Sequence, residues 1–199
     1  MHAGSLVLRA QQHDAVAAAL VPLQNEGSTV SVSATGGAYA CGSGTGNLMQ
    51  VFLDTEFVDW NDPETDLISI GMVAEDGREF YAECTEFDLG KCTDFVTLEV
   101  LPLLGAEGVL QAGRNELKYA VFGWLATIPE PEIAVDYDGD WLLLARLLGQ
   151  DMPANLTVTN VWESLDKQKL EDYFLLHTAT RHHALHDARA NRWAVPERR

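Results

Sequence analysis

The chemically informative residues of this 199-residue chain are acids that lie inside apolar segments. Asp54 and Glu56 belong to residues 50–58, whose composition is typical of a buried strand. Because strand side chains alternate between two faces, both carboxylates point to one side while Thr55 and Phe57 point to the other. Two neighbouring carboxylates on a buried strand repel each other, and a hard divalent cation, Mg²⁺ or Mn²⁺, would neutralise them.

A second Asp-x-Glu motif serves as an internal comparison. Asp62, Pro63 and Glu64 lie in a polar, proline-containing stretch that predicts a turn, where water solvates the acids. The motif alone is therefore weak, and an edge strand with exposed acids is the alternative for Asp54 and Glu56.

Three acids follow a predicted strand in the middle of the chain. Asp136, Asp138 and Asp140 precede an apolar run that predicts a helix. Helix capping and the helix dipole explain one such acid without any ligand, but three exceed what one cap requires. Taken alone, the cluster is still explained better by helix capping than by a ligand.

The third group opens the last predicted helix. Asp187 shares a helix face with small residues, which would let the helix approach a sheet closely and would bury the acid beside a cation. His182 and His186 have the i, i+4 spacing of a zinc pair, but no third thiol or imidazole lies at a suitable spacing. A surface position for either histidine is the other alternative.

In this order and spacing, the motifs resemble those of the DEDDh 3'-5' exonucleases. The strand sequence LDTEF, followed by LISIGMVAEDGREFYAE, is most similar to the RNase AS-like and RNase T-like bacterial exoribonucleases. The resemblance covers residue 49 to about residue 195, and implies an RNase H-like sheet, two divalent cations, hydrolysis from a 3' end and, frequently, a homodimer. By position, four residues match the metal-binding acids and one matches the general base: Asp54, Glu56, Asp140 and Asp187, with His182 as the base. The middle motif departs from the usual Asn-x-x-Phe-Asp or Tyr-Asp pattern, so Asp138 is a rival to Asp140 as the matching acid. We favour Asp140 because Trp141 and a leucine run follow it at once, which places it in the first turn of the predicted helix.

The expected activity is metal-dependent 3'-5' hydrolysis of single-stranded RNA or short oligonucleotides. A histidine, whose ordinary pKa is near 6.5, can take a proton from water near neutral pH. Phe57 is a candidate for stacking on a terminal base, with a core position as the alternative, and Thr55 is a second candidate substrate contact. The alternative functions are a DNA-directed exonuclease of the same chemistry and a non-catalytic nucleic-acid-binding module.

The elements that must position these residues indicate an α/β fold. Three strands at residues 50–58, 66–74 and 79–83 predict an antiparallel meander, with Asp76 and Gly77 as a hairpin turn. Helices alternating with further strands then predict a mixed sheet flanked by helices. The resemblance implies that this sheet is RNase H-like. The predicted helices cover residues 94–104, 115–127, 140–148, 164–173 and 183–195, and the further strands cover residues 132–137 and 156–161.

Composition excludes several classes of protein. No apolar run approaches the ~18 residues that a membrane span needs. The net charge of −17 disfavours general duplex DNA binding and favours small or single-stranded substrates held through metal ions. Three cysteines without a CxxC pair favour a cytoplasmic protein with reduced thiols.

Residues 1–48, rich in Gly, Ser, Thr and Ala, predict a flexible extension before a catalytic domain at residues 49–199.

Overall fold

The computed structural model describes residues 48–196. Within this range one sheet contains six strands in the order β4-β3-β2-β1-β5-β6. The strands are β1 (Met49–Phe57), β2 (Leu67–Ala74), β3 (Glu79–Cys84), β4 (Leu110–Ala112), β5 (Pro131–Val135) and β6 (Thr157–Asn160). The α-helices are α1 (Arg114–Leu125), α2 (Asp138–Leu148), α3 (Lys167–Leu176) and α4 (Ala184–Ala194).

The sheet is mixed, which confirms the predicted fold class. β1, β2 and β3 form an antiparallel meander, whereas β5 pairs parallel with β1, β6 with β5, and β4 with β3. The hairpin between β2 and β3 turns at Gly77, whose φ of 92° is a conformation that suits glycine. The carboxyl ends of the parallel strands β1, β5 and β6 therefore meet at one edge of the sheet.

Helices cover both faces of the sheet. On one face, Val51 and Leu53 of β1 join a core cluster with buried leucines of α1 and α2. On the other face, Phe52 packs with Leu170 of α3 and Ala190 of α4. Because side chains alternate along β1, Asp54 and Glu56 lie on the Phe52 face, which is the face that α4 covers.

Observed element boundaries differ from the predicted ones mostly by one to three residues. Helix α3 begins at Lys167 because the Asp166 side chain accepts hydrogen bonds from the backbone N–H groups of Gln168 and Lys169. Strand β4 is absent from the prediction, since three residues are too short for a strand pattern. The predicted extension, residues 1–48, lies outside the described residues apart from residue 48.

The predicted helix at residues 94–104 forms, but not as a regular α-helix. A π-helical turn, Val96–Val100, and a 3₁₀ turn, Leu101–Leu103, replace most of it. Pro102 has no N–H to donate to the carbonyl of Leu98, so a regular α-helical ladder cannot pass this point. Instead, the Leu101 N–H donates to the Val96 carbonyl, five residues back.

Across residues 48–196, no helix has both the length and the apolar character that crossing a membrane would need.

Candidate active site

Strand β1 carries the first two acids of the site near its carboxyl end. Asp54 lies opposite Gly71 of β2, and Glu56 lies opposite Ser69. Both acids are buried, so the alternative of exposed acids on an edge strand does not hold. β1 is a central strand, between β2 and β5.

Helix α4 brings Asp187 against the same face. Its buried side consists of small residues together with Asp187 and Asn191, as the sequence pattern predicts. Gly71 makes the close approach possible, because a Cβ atom there would lie 2.3 Å from the Leu185 nitrogen and 2.5 Å from the Ala184 carbonyl oxygen. Asp54, Glu56 and Asp187 thus form one carboxylate group, with one oxygen of each within 4.8 Å of the others.

Asp140 reaches the site from the first turn of helix α2. The backbone N–H of Thr55 donates to Asp140 Oδ1 over 3.0 Å, and the Thr55 hydroxyl donates to the same oxygen over 2.6 Å. The N–H is available because β1 pairs with β5 only as far as Phe52 and Ala134, after which the strands diverge. Thr55 therefore holds Asp140 in place, while its role as a substrate contact stays a prediction.

A second carboxylate group includes Asp136, which belongs to the predicted acidic cluster but is not one of the four predicted ligands. Asp136 directly follows β5, is buried, and lies with Asp54 and Asp140 in a group whose ligand oxygens are within 4.8 Å of one another. Asp138 is partly exposed instead, and it accepts a hydrogen bond from the Asn160 amide over 2.6 Å. The available sequence signal was the place of Asp136 in the acidic cluster at residues 136–140, whereas its nearness to Asp54 depends on the pairing of β5 with β1.

The two groups share Asp54, and their five acids are between 1 and 8% exposed. Carboxylate oxygens are hard ligands suited to Mg²⁺ or Mn²⁺, so the chemistry of the donor set fits divalent cations of this kind. Among the described residues, neither group contains a histidine or a cysteine, so the spacing of His182 and His186 does not correspond to a ligand pair in either group.

His182 lies in the loop between α3 and α4, next to the first carboxylate group. Its backbone N–H donates to Asp187 Oδ2 over 2.8 Å, and the N–H of His183 donates to the same oxygen over 3.2 Å. The backbone of His182 has a φ of 63°, which few residues other than glycine adopt. Its ring meets the ring of Phe95 edge-on, with 4.7 Å between the ring centroids.

The imidazole of His186 makes a hydrogen bond and a ring contact within the protein. The backbone N–H of Thr180 donates to its Nδ1 over 3.0 Å, and its ring stacks on that of His183. Burial is the largest of the effects that lower the pKa of His186, so its imidazole is neutral near pH 7.

Phe57 lies beside the site at the end of β1. Its ring packs against the main core cluster and stacks on Tyr137, with 6.2 Å between centroids. Burial, followed by the charge of Asp140, raises the pKa of Tyr137 to about 12, so this phenol is uncharged at neutral pH. Phe57 is partly exposed, and base stacking by it stays a prediction.

Part of the chain is similar to two curated proteins. Two 3'-5' exoribonucleases of Mycobacterium tuberculosis, from strains CDC 1551 / Oshkosh and ATCC 25618 / H37Rv, are each 54% identical to it over 57 residues. The similarity covers 28% of this chain and 33% of each relative, so the chain spans about one third of the length of the relatives that it matches. No protein-family profile matches the chain. The local identity supports a relationship to an exonuclease family.

Proposed function

We propose that the protein is a metal-dependent 3'-5' exonuclease of the DEDDh type that shortens single-stranded RNA or short oligonucleotides. The observation that carries the proposal is the pair of buried carboxylate groups that share Asp54. Buried acids in such numbers are costly unless cations neutralise them, and the two relatives with local identity are named as exoribonucleases.

In this proposal the two groups hold two divalent cations. One group is Asp54, Glu56 and Asp187, and the other is Asp54, Asp136 and Asp140. When bound, such a pair of cations activates water and neutralises the charge that develops at the scissile phosphate. Thr55 fixes Asp140 through two hydrogen bonds, and Gly71 lets Asp187 approach β1.

His182 is the general base of the proposed reaction. Its backbone is bonded to Asp187, so the residue lies beside the first carboxylate group, where it can take the proton from the attacking water. The protein carries a net charge of −17, so binding of a polyanion depends on the cations rather than on a basic surface. The homodimer and the cytoplasmic location stay predictions.

The test uses 5'-labelled single-stranded RNA and DNA of equal sequence, incubated with the full chain and with Mg²⁺, Mn²⁺ or EDTA. We expect a ladder of products that shorten from the 3' end with either cation and none with EDTA. Faster shortening of RNA supports the exoribonuclease, whereas faster shortening of DNA favours the DNA-directed alternative. No shortening of either substrate would contradict the enzymatic function.

Variants test whether the activity depends on the residues of the site rather than on acids elsewhere on the surface. Asp187→Asn and His182→Ala are expected to lower the rate at least 100-fold, because the first removes a cation ligand and the second removes the general base. The matched control is Asp62→Asn, which changes the Asp-x-Glu motif of the exposed turn and is expected to leave the rate unchanged. A fully active His182→Ala protein would show that another group is the base.

A further inference from the structure

Three rings form a continuous stack beside the first carboxylate group. The centroid of the Tyr81 ring lies 4.4 Å from that of His183, with 25° between the ring planes. The centroid of the His183 ring also lies 4.2 Å from that of His186, with 18° between the planes. The stack therefore joins strand β3, which carries Tyr81, to the loop that precedes helix α4 and to the first turn of that helix.

Tyr81 is itself fixed in the sheet. It pairs with Gly71, which pairs in turn with Asp54, so Tyr81 lies in the same cross-strand row as the shared acid. Its hydroxyl donates to Glu83 Oε1 over 3.2 Å, and the buried Glu83 carboxylate also accepts from the Gly105 N–H. Burial, followed by the charge of Glu83, raises the pKa of Tyr81, so the phenol stays a neutral donor.

The left-handed backbone conformation of His182 needs neighbouring contacts that hold it in place. A left-handed conformation costs a residue with a side chain roughly 1–2 kcal/mol, and it persists only where neighbouring contacts hold it. The hydrogen bonds to Asp187 fix two backbone nitrogen atoms, at His182 and His183. The ring of His183, stacked on that of Tyr81, is one side-chain contact between this part of the loop and the sheet.

We propose that Tyr81 is a positioning residue for His182. The Tyr81 ring holds the His183 ring in place. The His183 ring in turn fixes the loop backbone, which keeps His182 beside Asp187. The inference rests on the proposed function, in which His182 is the general base. Tyr81 acts through His183 and does not take part in proton transfer.

The experiment compares Tyr81→Leu, Tyr81→Phe and a surface control, Tyr119→Leu, in the full chain with Mn²⁺ and 5'-labelled RNA. Tyr81→Leu removes the ring, and we expect kcat to fall about 10- to 100-fold with KM within twofold of the wild type, because small misplacements of a reacting group have effects of this size. Tyr81→Phe keeps the ring and is expected to retain kcat within about threefold. Tyr119 lies on α1 and is 67% exposed, so its replacement should change neither constant.

Two further measurements distinguish positioning from a general loss of structure. Calorimetric titration with Mn²⁺ should give the same number and affinity of ions in Tyr81→Leu as in the wild type. NMR spectra of the histidine rings should show the His183 signals shifted in Tyr81→Leu and nearly unchanged in Tyr81→Phe, since the stacked phenol ring shifts them. If Tyr81→Leu does not fold, His183→Leu removes the central ring of the stack, and the same fall in kcat is expected.

Wild-type kcat in Tyr81→Leu would overturn the inference. So would weaker Mn²⁺ binding that accounts for the lost activity, or an equal loss in Tyr81→Phe, which would assign the effect to the hydroxyl. A wild-type protein that degrades neither RNA nor DNA would refute the proposed function, and the role of Tyr81 with it. The two failures are distinguishable, because the first leaves the wild type active.

Discussion

Gly71 of β2 lies directly beneath the start of helix α4, opposite Asp54 of β1. A Cβ atom at position 71 would lie 2.4 Å from the carbonyl carbon of Ala184 and 2.3 Å from the nitrogen of Leu185. Both are backbone atoms, which cannot move without moving the helix. The position of Asp187 relative to Asp54 therefore depends on the absence of a side chain at Gly71.

Gly71→Ala is expected to weaken both the fold and the site. The added methyl group must push α4 away from the sheet, which should lower the free energy of unfolding by about 1–3 kcal/mol, the usual range for overpacking. The displaced Asp187 should also lower the rate of metal-dependent hydrolysis at least 10-fold. Urea denaturation and initial rates with labelled RNA measure the two effects.

Gly123→Ala is the matched control for this substitution. Gly123 lies in the interior of helix α1, and a Cβ atom there would meet nothing within 4 Å. Since alanine favours helices over glycine, the free energy of unfolding should rise by up to about 1 kcal/mol, with unchanged activity. Wild-type stability and activity in Gly71→Ala would show that α4 does not need this close approach.

Thr55 provides a test of how Asp140 is held. Thr55→Val keeps the shape of the side chain but removes the hydroxyl that donates to Asp140, so the free energy of unfolding in EDTA should fall by about 1.5–3 kcal/mol. Thr55→Ser keeps the hydroxyl and should retain most of that stability. Urea denaturation of both variants gives the result. An unchanged stability with a raised KM in Thr55→Val would instead indicate that the hydroxyl contacts substrate.

Local patterns predicted much of the fold and several positions in the site. Period-two alternation placed Asp54 and Glu56 on one face of β1, and the leucine run after Asp140 placed that residue in the first turn of a helix. The small-residue face of α4 predicted its close approach to the sheet. These features depend on residues that are near one another in the chain, which is why the sequence pattern contains them.

The remaining features depend on distances between elements. Gly71 matters only because β2 pairs with β1 in a register that sets it opposite Asp54, under α4. The Thr55 N–H can reach Asp140 only because β1 and β5 diverge after Phe52. The parallel pairing of β5 with β1 also places Asp136 in the site. A local sequence pattern does not show which residues of neighbouring strands pair with one another, so the sequence alone could not predict these relationships.

Asp136 and Asp138 should differ sharply in metal binding. Asp136 is buried in the second carboxylate group, whereas Asp138 is partly exposed and bonds to Asn160. Calorimetric titration should therefore give two bound Mn²⁺ ions for the wild type and for Asp138→Asn, but one, or a much weaker second ion, for Asp136→Asn. Equal binding by the two variants would exclude Asp136 from the second site.

Asp54 should link metal binding to stability, because it belongs to both carboxylate groups. An ion that binds only the folded protein raises the free energy of unfolding by about 2.7 kcal/mol when its concentration is 100 times its Kd. Saturating Mg²⁺ should therefore raise the Tm of the wild type by about 5–10 °C. Asp54→Asn removes one of five neighbouring like charges, so its Tm in EDTA should exceed that of the wild type, and Mg²⁺ should no longer raise it. Asp62→Asn, in the exposed turn, should behave as the wild type under both conditions. Thermal melts in EDTA and in Mg²⁺ measure these shifts, and a lower Tm in EDTA with a full Mg²⁺ response in Asp54→Asn would mean that this acid stabilises the fold rather than binding cations.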